Sequence, residues 1–166
     1  MLGPDMITTE FGYDAWANRT LLAIAATLSD EQLDAPAGYG HGSIRGTLQH
    51  LVRVQWWWRA VVTTSGQTPQ SGPEVGETIA EISAFHDTEA RLMGEWLAQQ
   101  TDETLATPFT SVFRNQPFQI IPWQALTQMI THSMQHRSEL AVWLTAAGHS
   151  PGNLDFIFFA DPSMAG

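Results

Sequence analysis

"QMITHSMQHR", residues 128–137, sets two histidines four apart inside what is otherwise the apolar stripe of a helix. Ala125, Met129, His132, His136, Leu140, Trp143 and Ala147 follow one another in steps of three and four, so both imidazoles lie on the buried face. Pro122 suits the first turn of this helix and Gly148 its stop, which predicts a helix over about 122–147. Four residues advance a helix by ~6 Å and ~40°, so the two rings can converge on one ion.

Working outward, the chain upstream reads as three more long helices. Thr8 or Thr9 followed by Glu10 opens the first, which carries Phe11, Ala15, Asn18, Leu22 and Ala25 and runs to about Leu28. "SDEQL" (29–33) has the pattern of a capping box on a short turn, and "APAGYGHG" (35–42) breaks the chain. Ser43 caps the second long helix, with Ile44, Leu48, Leu51, Trp58 and Val62 on one stripe and Thr47, His50, Val54, Trp57 and Val61 on another. "SGQTPQSGPEVGE" (65–77) is a long loop and the segment expected to move most. The third helix occupies about 78–99. "SVFRNQPFQI" (111–120) places β-formers on either side of an Asn-Gln-Pro turn, a small hairpin, and the tail "HSPGNLDFIFF" packs back on the helices. The expected architecture is all-α: one domain, 1–166, a four-helix bundle with a small β-hairpin before the last helix.

Composition narrows the function. A formal charge of −10, from 17 acidic against 7 basic residues, repels phosphate backbones, so nucleic acid is not an expected partner. The chain has no cysteine, which excludes disulfides, Cys-based zinc sites and thiol nucleophiles of its own. No apolar run approaches the ~18 residues a membrane span needs, and the first residues lack the pattern of a signal peptide. The expectation is a cytoplasmic protein without membrane contact.

His50 strengthens the metal reading of the His132/His136 pair. It lies mid-helix between Leu48, Leu51 and Val54, and three buried imidazoles on two helices are costly without a shared partner. A divalent cation relieves that cost by accepting a lone pair from each neutral ring. His41, His86 and His149 fall in a turn, on a helix flank and past a helix end, where surface or capping roles suffice.

With these residues in place, the chain resembles the DinB-like (damage-inducible) family of metal-binding four-helix-bundle proteins. The resemblance rests on "YDAWAN" (13–18), "GSIRGTLQHL" (42–51), "WQALTQMITHSMQHR" (123–137) and "AAGHSPGNLDFIFF" (146–159). It implies that His50, His132 and His136 are the metal ligands, that the metal is zinc or nickel, and that the protein is a homodimer. Some members are thiol transferases or thiol-dependent isomerases. The chain departs from the family where Ser138 and Glu139 follow His136–Arg137 in place of a common Gly-Gln, and where Gln55 replaces a common acidic residue.

Three protein ligands leave a coordination position open, the arrangement of a catalytic metal. The expected function is therefore transfer of a low-molecular-weight thiol to a small-molecule electrophile, the metal supplying the thiolate. The alternatives are a metal-dependent hydrolase using water at the same position, with Glu139 as its acid or base, and a metal-stabilised stress-response module without catalysis. Because coordination needs neutral rings, acidification toward and below pH ~6 is expected to release metal. No catalytic residue is assigned from the sequence; Trp16 and Asn18 read as packing, and Trp56 as the most exposed of the "WWW" run, in a subunit interface.

Overall fold

The computed structural model describes residues 3–113, 115–161 and 163. Helix α1 spans Pro4–Ala25, α2 Asp30–Asp34, α3 Ile44–Thr63 and α4 Ile79–Leu97. They are followed by α5 (Asp102–Ala106), β1 (Phe109–Phe113), β2 (Gln116–Ile120), α6 (Pro122–Ala146) and α7 (Phe156–Ala160). Each of α1 and α3 packs on both α4 and α6, which closes the four long helices into a bundle. No described helix is long and apolar enough to cross a membrane.

Local chemistry sets most boundaries. Ser43 Oγ accepts from the Gly46 amide at the start of α3. Thr78 and Glu81 form a reciprocal capping box on α4, and Ser29 and Gln32 do so on α2. Gly148, at φ 86°, stops α6. Helix α1 begins earlier than its Thr-Thr-Glu signal suggests, because Pro4 occupies the first turn and supplies the helical φ without needing an amide partner. Helix α5 was not anticipated; Thr101 and Thr104 cap it, and its Leu105 is buried.

The hairpin is present, with its turn one residue earlier than expected. Phe113 pairs with Gln116 and Val112 with Pro117, so Gln116 and Pro117 belong to β2. Asn115 takes the left-handed conformation, φ 61°, that a tight turn demands. Arg114 lies outside the described residues. Pro117 is tolerated because both strands of a two-stranded ribbon are edges.

The long loop is tied down at its C-terminal end: Val75 is buried, and the Gln49 and Arg45 side chains donate to the carbonyls of Gly76 and Glu77 at 2.7 Å each. The loop also passes over Trp56, which is half-buried like Trp57 and Trp58. The tail folds back as expected, with Phe156 edge-on to Tyr13 and Phe159 beside Trp16.

The core is two apolar clusters with a polar layer between them. One cluster holds Leu21, Leu48, Leu51, Val52, Ile82, Leu140 and Leu144; the other holds Ile7, Val62, Met93, Leu97, Leu126 and Met129. At the intervening level of each helix stand Asp14 and Asn18, Gln55 and Arg59, His86 and Glu89, and Ser133, His136 and Arg137. Polar groups at that depth must find partners inside the bundle or leave their desolvation unrecovered.

Candidate metal centre

The three histidines singled out in the sequence come together. Helix α3 brings His50 against α6, and His132 Nε2 lies 3.2 Å from His50 Nε2 and 3.2 Å from His136 Nε2. A tetrahedral ion with metal–nitrogen bonds of ~2.0–2.1 Å holds its ligand atoms ~3.3–3.4 Å apart. The two separations from His132 match those of ligands around one small cation. Protons alone serve it less well, since His132 Nε2 faces two ring nitrogens and carries at most one hydrogen to share between them.

Glu139 gives the arrangement its polarity. Its Oε2 accepts from His136 Nδ1–H at 2.7 Å, which leaves the Nε2 of that ring as the lone-pair atom facing His50 and His132. A carboxylate behind a metal-facing imidazole fixes tautomer and ring orientation and raises ligand basicity. One carboxylate oxygen of Glu139 is thereby committed to His136.

A fourth imidazole was assigned to the surface by its place in the sequence and belongs here instead. His41 stacks on His50 with ring centroids 3.5 Å apart and planes at 16°. Among the described residues, His41, His50 and His136 form the cluster whose ligand atoms all lie within 4.8 Å of one another. The loop reaches the site because glycines at 40 and 42 take φ of 63° and 84°, and because Gly46 has no Cβ to collide with the His41 carbonyl oxygen. "GHG" immediately before a helix cap was the available signal.

Burial governs the protonation of these rings. Desolvation, with the nearby His41 and His136 charges adding to it, pushes His50 down to about 4. Desolvation and then His136 and His41 push His132 to about 4, against a smaller upward pull from Glu139. Both rings therefore stay neutral and ready to coordinate well below pH 6, and proton competition for a metal sets in lower than for exposed imidazoles. In the unfolded chain the same groups titrate near 6.5, so between about 4 and 6.5 the unfolded state binds the extra protons. Stability is then full above pH 6.5 and lost as pH falls toward 4. The urea midpoint of the metal-free protein is expected to drop steadily between pH 7 and pH 4.5; a flat midpoint would contradict neutral, desolvated rings.

Behind the histidines, much of the polar layer is partnered, while Arg137 Nη2 and both His86 ring nitrogens have no hydrogen bond. Arg137 Nη1 donates to Asp14 Oδ1 and, at 2.9 Å, to Ser133 Oγ. Asp14 Oδ2 accepts from Gln55 Nε2 at 2.6 Å and from Asn18 Nδ2 at 3.0 Å. Asp14 thus links α1 to α3 and α6, and Arg137 is the residue next to His136. Arg59 and Glu89 make a second, bidentate pair. His86, expected on an exposed flank, is 1% exposed, and neither ring nitrogen makes a hydrogen bond.

The profile of the DinB family matches residues 5–164, nearly the whole chain. The chain belongs to the DinB family. No curated protein matches it in sequence. Membership accounts for the helical bundle and for a histidine cluster able to hold a metal ion.

Proposed function

We propose that this protein is a metal-dependent transferase in which His50, His132 and His136 hold one divalent ion, zinc or nickel, that activates a low-molecular-weight thiol for attack on a small electrophile. The observation that supports it most is the 3.2 Å spacing of Nε2 atoms on both sides of His132. Such an ion, with an open position, lowers the pKa of a bound thiol or water and supplies a nucleophile at neutral pH in a chain without cysteine. Glu139 holds His136 in the coordinating tautomer. His41, exposed and kept neutral chiefly by desolvation, is placed to accept the proton that the incoming thiol loses. Hydrolysis is the weaker reading, because its candidate acid or base, Glu139, is engaged by His136.

The test is conjugation of a panel of thiols with aryl halides and epoxides by metal-loaded protein. Activity that disappears on chelation and in the His50→Ala, His132→Ala, His136→Ala triple variant is expected; no conjugation with any pair overturns the reading.

The place of His41 favours one competing reading, a closed four-imidazole site that merely stabilises the bundle. His41→Ala separates the two. As a proton acceptor, His41 leaves metal affinity within about tenfold when lost, while conjugation slows ~10²–10⁴-fold at neutral pH. As a fourth ligand, its loss weakens metal binding ~10²–10³-fold.

A further inference from the structure

Helices α3 and α6 run antiparallel along one seam. Leu48 shares a cluster with Leu140 and Leu144, and Trp58 packs on the cluster of Ala125, Leu126 and Met129. The histidines lie between these two levels. Toward Leu144 the site is covered, because His41 stacks on His50 and Gly40 lies beside Trp143 and Glu139. In the other direction the seam runs over Val54, one turn after His50, and Gln128, one turn before His132. Val54 is half-buried and Gln128 exposed, and neither carries a charge.

That direction leads to a hollow of about 320 Å³ between α3 and the hairpin, lined by Trp57, Trp58, Phe113, Gln116 and Phe118. The volume is near the lower end of the range for small-molecule sites. Trp57 follows His50 by seven residues, two turns on the same face, which sets it about 10 Å further along the axis. Its ring meets Trp58 at 4.8 Å and 87°, and Phe113 at 6.2 Å and 75°. The lining is thus aromatic apart from one amide, and none of it is charged. Between Glu103 and Glu139 the sequence has no acidic residue, so the hairpin and α6 as far as Ser138 add no carboxylate to this path.

We infer that the substrate of the metal centre is an elongated electrophile whose uncharged aromatic body seats against Trp57, Phe113 and Phe118 while its reacting group lies at the histidines. The inference rests on the metal reading above and names the class of substrate for it. Position supports it: the hollow lies on the side of the half-buried His132 that the His41 loop leaves uncovered. Ring chemistry favours an aromatic body over an aliphatic one, since stacked and edge-on rings gain contact energy beyond the apolar area they bury. A charged body would lose its hydration against walls that offer no counter-charge.

The experiment is calorimetric titration of metal-loaded and metal-free protein with acetohydroxamate, which chelates an ion but has no body. Phenylalkyl hydroxamates of increasing chain length follow, each beside its cyclohexyl counterpart. Affinity for loaded protein is expected to step up at least about tenfold over acetohydroxamate once the chain spans about 10 Å, and to gain less from cyclohexyl. Trp57→Leu, which keeps an apolar residue that favours helix, and Phe118→Ala, on the hairpin, each remove most of the step. Both variants keep the metal equivalent and the acetohydroxamate affinity, which reports that they fold. Acetohydroxamate that binds no better with metal than without it overturns the metal reading and this inference with it. Metal-dependent acetohydroxamate binding with no step, an equal gain from the cyclohexyl chains, or a step indifferent to both substitutions overturns this inference alone.

Discussion

His132→Ala is expected to weaken metal binding ~10²–10³-fold, the largest single-residue effect on metal affinity. Structural zinc sites bind with ~10–16 kcal/mol spread over four ligands, or ~2.5–4 kcal/mol for each. His132 is the member of the cluster whose Nε2 lies 3.2 Å from two others, so its removal takes away the nitrogen nearest to both, while His50 and His136 stay in edge-to-face contact. Glu139→Gln, which keeps an oxygen near His136 Nδ1 but removes the carboxylate charge, is expected to cost less, ~10–100-fold. Competition titration with a chromogenic chelator resolves this order. The other triple, His41, His50 and His136, makes the opposite forecast: His132→Ala then binds metal nearly as well as the wild type, and His41→Ala fails.

The bundle and the meeting of His50, His132 and His136 were legible in the sequence because both are written in local periodicity. A stripe at steps of three and four shows which face a helix buries, and a histidine on that stripe is visible as an anomaly. Capping residues at 29 and 43 marked two helix starts for the same reason: their partners lie within three residues. What stayed hidden depends on contacts distant in the chain. His41 looked like a turn residue until the loop was laid on His50, and His86 looked like a flank residue until α1 covered it. Asp14, Arg137 and Gln55 stand on three different helices, and only the folded bundle shows that they meet at one level. The hairpin turn slipped because Asn-Gln-Pro carries turn residues in general, whereas the register goes with a positive φ at Asn115.

Arg137→Met is expected to destabilise the protein by ~3–5 kcal/mol, a large share of the ~5–15 kcal/mol that holds a domain folded. Arg137 and Asp14 are each at least nine-tenths buried and face one another directly. Taking away the guanidinium leaves the Asp14 carboxylate in the bundle with only two amide donors, from Gln55 and Asn18. Those donors hold the cost toward the lower end of the range. In a domain of this size the loss corresponds to ~6–20 °C in Tm. Asp14→Asn in the same chain removes the stranded charge, so the double variant should recover more than half of what Arg137→Met loses, and urea denaturation of all four proteins measures that coupling. A coupling near zero would show the pair to be structurally incidental. A large one carries a consequence for the metal centre, because Arg137 adjoins His136 and Asp14 ties α6 to α1 and α3. The charge pair would then be what keeps two helices at the separation that the histidine nitrogens require, and metal affinity in the four proteins should rank in the same order as their stability.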